Sequence, residues 1–294
     1  MDTSTPQTWR IVDVLKWSKD FLFNKGIESP QIEVEWMLRD VLNCSRIDIY
    51  LNHERPLSAG ELSTFKKILV ERVTGKPLQY ILGYTEFMGY KIRVNRHVLI
   101  PRPETEIIVE KVLYILTKDR NSNPQVLDVG TGSGCIAISI AAACQKCSVL
   151  ALDISHEALD LAKQNAELNK VSDRIRFVKK DILNDFPDTG LFNIIVSNPP
   201  YVDGEYWDNL PDTVKKYEPE IALRPNGDSL IFYRRLSQLA TRHLTADGVL
   251  AVEIGGTYQE KDVIFVLREN GLGNFEVIKD YLGQSRGILA RLNK

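Results

Sequence analysis

Asn198-Pro199-Pro200-Tyr201 is the stretch of this chain whose residue types best suit chemistry. Two successive prolines fix φ and remove two N–H donors, and Pro199, lying before a proline, is pushed to an extended conformation. What remains is a stiff acceptor surface made of the Asn198 side-chain oxygen and backbone carbonyls. Such a surface can grip the two N–H bonds of a planar amide or an exocyclic amine, as N-methylation requires. Asn-Pro and Pro-Pro are also ordinary turn signals, so the surroundings must decide between punctuation and chemistry. Phe192-Asn193-Ile194-Ile195-Val196-Ser197 precedes the tetrapeptide and reads as a buried strand, rich in β-branched residues. The loop therefore opens at a strand end, where open α/β sheets place their ligands.

Upstream, Gln125-Val126-Leu127-Asp128-Val129 reads as another strand, running into Gly130-Thr131-Gly132-Ser133-Gly134 and a helix over 135–143. A strand, a glycine turn and a helix bring bare backbone and a helix N-terminus against a ligand. A phosphate-binding P-loop would end in Gly-Lys-Ser/Thr, and no lysine is present. A dinucleotide fingerprint needs a small residue three after its second glycine, and Cys135 stands there. Asp128 before alternating glycines suits S-adenosylmethionine, which has no phosphate and carries a cationic sulfonium. The strand Ser148–Leu152 ends at Asp153, about twenty residues past the turn, where an acid can accept from both ribose hydroxyls. A third strand, Arg176-Phe177-Val178, leads to Asp181 and Ile182, and Asp181 could take the adenine amino group. Each acid alone reads as a surface charge or cap; their recurrence at successive strand ends favours cofactor binding.

The 294 residues suit two domains, and the formal net charge of −2 gives no basic footprint for nucleic acid. No apolar run reaches membrane length and Met1-Asp2-Thr3-Ser4 lacks signal-peptide character, so a cytoplasmic location is expected. Cys144-Gln145-Lys146-Cys147 has redox or zinc spacing but lacks the second pair that zinc needs, and the four histidines are scattered. No metal is expected, and Cys144 and Cys147 are read as structural.

Residues 8–76 carry helical periodicity through Trp9, Ile11, Val12, Leu15, then Val34, Met37, Leu38, then Leu62, Phe65, Ile68 and Leu69. The expectation is a small helical bundle over 1–76, either a stabilising cap or a docking surface for a protein substrate. Residues 77–101 alternate in a strand-like way at 80–83, 90–94 and 97–100, which predicts a β-hairpin linker. From 102 to 294 strands and helices alternate, which predicts a mostly parallel sheet with helices on both faces. The last two strands, joined by 281–286, are too close for a helical crossover and must be antiparallel. The fold class is α/β: a seven-stranded, Rossmann-like class I methyltransferase sheet with one antiparallel strand.

With these residues assembled, the chain resembles the HemK/PrmC family of protein-(glutamine-N5) methyltransferases over nearly its whole length. The resemblance rests on Gly75-Lys76-Pro77-Leu78-Gln79-Tyr80-Ile81-Leu82-Gly83 and Leu99-Ile100-Pro101-Arg102-Pro103-Glu104-Thr105-Glu106. Glu218-Pro219 with Ala222-Leu223, Glu253-Ile254-Gly255, and Asp280 with Gly283 and Arg286 add to it. It implies that the substrate is the glutamine of the Gly-Gly-Gln motif in peptide chain release factors, and that the N-terminal helices help dock that protein. A monomer that binds neither nucleic acid nor membrane is expected. Carried over, Gly130, Thr131, Gly132, Ser133, Gly134 and Asp153 fall on cofactor contacts, and Asp181 and Ile182 on the adenine pocket, where relatives often have an aromatic in place of Ile182. Asn198, Pro199, Pro200 and Tyr201 fall on the glutamine-binding loop, with Asn198 also beside the cofactor. Phe87 is assigned either to the wall around the glutamine's aliphatic part or to the core. The stretch 224–230 departs from the family's glycine-richer version. The rival reading is an N6-adenine DNA methyltransferase, which uses the same loop but needs a basic target-recognition region that the chain lacks.

Overall fold

Leu22, Val34, Met37, Leu38 and Ile49 are fully buried where amphipathic helices Ile11–Asn24, Pro30–Leu42, Arg46–Leu51 and Ala59–Arg72 meet. Local chemistry fixes where these helices start. Ser45 and Ser58 each accept from the backbone N–H three residues on, and Asp48 and Glu61 return the bond. Pro30 occupies a first-turn position where its missing N–H is no loss. The computed structural model describes residues 8–118, 123–185, 190–225 and 227–293, and the chain divides into two compact units, Met1–Gly83 and Tyr84–Lys294.

The expected linker over 77–101 is not one element. Residues 78–82 form a short helix, Leu78–Leu82, instead of a strand, because Pro77 starts it, Leu78 and Tyr80 are buried, and Gly83 ends it in the left-handed conformation. The hairpin itself is β1 (Tyr84–Phe87) against β2 (Tyr90–Arg93). His97–Ile100 forms no strand. Val98 N–H closes a turn onto Asn95, and Ile100 N–H donates to the Glu218 carboxylate instead of to a neighbouring strand.

The second unit carries the predicted sheet. Its strands are β3 (Gln125–Val129), β4 (Ser148–Asp153), β5 (Ile175–Lys179), β6 (Phe192–Ser197), β7 (Leu244–Glu253), β8 (Leu272–Lys279) and β9 (Ser285–Leu292), in the order β5-β4-β3-β6-β7-β9-β8. Only β9 among these runs against its neighbours. Leu127, Ile195, Leu250 and Val252 are completely buried, as the apolar runs of a sheet covered on both faces require. The chain leaves β3 for β4 and β5 on one side, then returns to β6 on the other. That reversal opens a crevice at the carboxyl ends of β3 and β6.

Candidate active site

The crevice is a cavity of about 540 Å³. Gly130, Thr131, Gly132, Ser133, Asp153, Asp181, Ile182, Asn198, Pro199 and Pro200 all line it, so most of the residues singled out in the sequence come together in one place. The glycine turn is held from behind. Gly130 and Thr131 N–H both donate to Leu152 O, at 2.9 and 2.8 Å, and Gly134 N–H donates to Thr131 O. Gly132 N–H donates to Asp153 Oδ2 at 2.8 Å, while Ser155 N–H donates to Oδ1. A phosphate cradle needs such N–H groups free, and these four are already engaged. The carboxylate beside them repels a phosphate further. The same donor set fits S-adenosylmethionine: Asp153 keeps lone pairs for ribose hydroxyls, and the net local charge suits a sulfonium. Burial pushes the Asp153 carboxyl above its ordinary value, partly offset by the bonds from Ser155 and Gly132.

Asp128 acts one layer deeper. Its Oδ2 accepts from Thr131 Oγ1 at 2.6 Å and from Ala137 N–H, so it ties the turn to the following helix. Among the described residues Oδ1 has no hydrogen-bond partner. Complete burial pushes this carboxyl up to about 7, despite the Thr131 and Ala137 bonds that lower it. Asp181 lines the cavity while its carboxylate caps its own turn, accepting from Leu183 N–H and Asn184 Nδ2.

Three expected site residues do not line the cavity. Gly134 caps the helix Cys135–Ala143 at φ +82°, and a Cβ there would stand 3.1 Å from both Ala162 Cβ and Ile138 Cδ1. Its lack of a side chain serves helix packing. Phe87 is 1% exposed at the end of β1, so its ring is core material. Tyr201 packs on the sheet's core cluster and donates its hydroxyl to Glu253 Oε1 at 3.3 Å. Asn226, within the stretch 224–230, lies outside the described residues.

The parallel register explains what surrounds Asn198. Ser197 of β6 pairs with Val252 of β7, so Asn198 and Glu253 emerge side by side at the sheet edge. Asn198 Nδ2 donates to Thr105 Oγ1 at 3.2 Å, and Thr105 Oγ1 donates to Glu253 Oε2 at 2.6 Å. Burial pushes the Glu253 carboxyl up to about 7, while the bonds from Thr105 and Tyr201 pull it down. The tetrapeptide is gripped behind as well: Gln259 Nε2 donates to Tyr201 O, and Val202 N–H donates to Leu223 O. His97, Arg102, Thr105 and Phe232 also line the cavity, although no pattern in the sequence marks them as site residues. The segment 99–106 was visible as a motif, but its place at the cavity depends on Glu218, which pairs with Arg102 and accepts from Ile100 N–H.

Comparison with known proteins agrees with this geometry. A release factor glutamine methyltransferase of Chlorobaculum tepidum is 39% identical over 291 residues, covering 96% of this chain and 97% of that protein. The chain belongs to the release factor glutamine methyltransferase family. The namesake of Flavobacterium psychrophilum is 41% identical over 83% of this chain and 85% of its own length. The PrmC N-terminal domain matches residues 13–83, and the Methyltransferase small domain matches residues 109–234. Among solved structures, the hMettl16 catalytic domain in complex with MAT2A 3'UTR hairpin 1 aligns with a TM-score of 0.53 at 19% identity, covering 81% of this chain and 83% of that one. That likeness concerns the fold alone.

Proposed function

We propose that this chain transfers the methyl group of S-adenosylmethionine to the side-chain amide nitrogen, N5, of the glutamine in the Gly-Gly-Gln motif of peptide chain release factors, and so modulates translation termination. The single observation that carries the chemistry is the orientation of Asn198. Its amide nitrogen donates to Thr105 and the residue lines the cavity, which leaves Oδ1 as the side-chain atom able to accept from a substrate there. Membership of the family supplies the substrate class.

When bound, S-adenosylmethionine supplies an electrophilic methyl group on a sulfonium. Asp153 would hold its ribose, and Asp181 and Ile182 its adenine. The substrate amide is a poor nucleophile because its nitrogen lone pair is delocalised into the carbonyl, so positioning and polarisation must do what a strong base does elsewhere. Asn198 Oδ1 and the Pro199 carbonyl accept the two amide N–H bonds. These acceptors fix the nitrogen, favour its pyramidalisation and stabilise the positive charge that develops on it. The two prolines keep the acceptors in place without a conformational search. The methylated nitrogen is strongly acidic and loses its proton after transfer.

The helical unit Met1–Gly83 docks the protein substrate, and the enzyme acts as a monomer in the cytoplasm. No helix among the described residues is long and apolar enough to cross a membrane. Incubating the protein and labelled S-adenosylmethionine with a whole release factor and, separately, with a DNA duplex tests the reading. Label in the glutamine of the release factor is expected; label in the duplex would overturn it in favour of adenine methylation.

A further inference from the structure

Thr105 sits in the first turn of the helix Pro103–Thr117, where a threonine hydroxyl ordinarily bonds to nearby backbone. Here it reaches Glu253, 148 residues away, and both side chains are 2% exposed. A carboxyl buried this deeply is unfavourable unless its hydrogen bonds are complete, and a well-packed apolar residue is often the more stable choice. Glu253 has both oxygens engaged, Oε2 by Thr105 and Oε1 by Tyr201. The chain of bonds therefore has a direction. To the ionised Glu253 carboxylate Thr105 gives its one proton, so it can meet Asn198 only as an acceptor. That forces the nitrogen of the Asn198 carboxamide toward Thr105 and its oxygen the other way.

We infer that Thr105 and Glu253 are positioning residues for methyl transfer: their hydrogen-bond relay sets which end of the Asn198 carboxamide faces the substrate. A carboxamide is nearly symmetric in shape, so packing alone does not distinguish its oxygen from its nitrogen. Only the polarity of its partner does. In the flipped state Asn198 presents two donors to the two N–H bonds of the target amide, and the clamp becomes repulsive. Tyr201 stabilises the relay from the far side of Glu253, which gives the tetrapeptide's last residue a function outside the cavity.

The inference rests on the proposed clamp, and its test separates the two. Thr105→Val keeps the shape and removes the acceptor. Glu253→Gln introduces a donor that can turn the Thr105 hydroxyl toward Asn198 Oδ1. Thr105→Ser restores the hydroxyl while removing a methyl group. Each variant is assayed on whole release factor beside the unaltered enzyme, with melting temperature and calorimetric affinity for S-adenosylmethionine measured in parallel. Thr105→Val and Glu253→Gln are expected to lose tenfold or more in kcat with KM and cofactor affinity within about twofold, and Thr105→Ser to recover most of the rate. A Thr105→Val enzyme that melts lower but keeps its kcat would reduce the relay to a structural role, and so would a Thr105→Ser enzyme as slow as Thr105→Val. An unaltered enzyme that leaves release factor unmodified would instead remove the proposed function itself.

Discussion

Two glycines of one turn should fail in different ways when each gains a methyl group. Gly132 has φ +53°, and a Cβ there meets no atom of the protein within 4 Å. Gly134 has φ +82°, and its Cβ would press on Ala162 Cβ and Ile138 Cδ1, both at 3.1 Å. The left-handed backbone alone costs an alanine about 1–2 kcal/mol. Crowding a close-packed contact adds about 1–3 kcal/mol at Gly134, where Ala162 belongs to a helix and can yield little. Gly134→Ala should therefore lose roughly 2–5 kcal/mol of stability, a drop in melting temperature on the order of 10 °C for a domain of this size. Gly132→Ala should lose about half as much or less, since it bears the backbone strain alone. Its methyl group stands at the cavity wall, so its main effect should be a weaker affinity for S-adenosylmethionine. Thermal unfolding followed by circular dichroism, paired with calorimetric titration of the cofactor, reads both effects. A Gly134→Ala protein that melts normally, or a Gly132→Ala protein that melts lower than it, would refute the packing argument.

Asp153→Ala strips acceptors from Gly132 and Ser155 N–H as well as from the ribose, and charge-assisted hydrogen bonds contribute about 1.5–3 kcal/mol each, so cofactor affinity should fall roughly tenfold or more by calorimetry. Asp128 has its folded pKa raised to about 7 from an ordinary 3.8, so the folded state holds a proton that the unfolded state has already released. Its contribution to stability is present below about pH 4 and is lost as pH rises through about 7; Asp128→Asn should flatten this part of the profile in urea unfolding at successive pH values, and an unchanged slope would show that another group causes it. A chain beginning at Tyr84 should bind S-adenosylmethionine yet methylate whole release factor poorly, because one glutamine side chain cannot supply the ~1,000 Å² that a specific protein interface normally buries. Equal rates for this chain and the full-length enzyme at equal cofactor saturation would remove the docking role.

The seven strands of the sheet were legible because each is a short apolar run between turn residues, and the short connection at 281–286 was enough to predict the antiparallel β9. The ligand-facing ends of β3, β4 and β6 were equally legible, since residue type and position after a strand coincide there. Other features were not. Tyr80 to Gly83 alternates like a strand, but four residues cannot distinguish two periodicities, and the glycine cap decided for a helix. Tyr201 occupies the expected motif yet packs on the core cluster, because a motif gives position along the chain and not the direction of a side chain, whereas the core was one of the two places expected for Phe87. Cys144 and Cys147 form a disulfide, which needs only that the chain turn tightly between the helix Cys135–Ala143 and β4, and spacing alone does not reveal that turn. Glu253 comes beside Asn198 only through the β6–β7 register, and Thr105 reaches both only through the docking of helix Pro103–Thr117. No local pattern carries that information.

Single-turnover transfer by Asn198→Ala, with the enzyme saturated in S-adenosylmethionine, reads whether Asn198 clamps the target amide. Loss of a preorganised acceptor typically costs about 2.7–4 kcal/mol in the transition state, so transfer to the release factor glutamine should slow roughly 100- to 1,000-fold while calorimetric affinity for the cofactor stays close to that of the unaltered enzyme. Transfer at a near-normal rate would mean that Asn198 does not hold the amide.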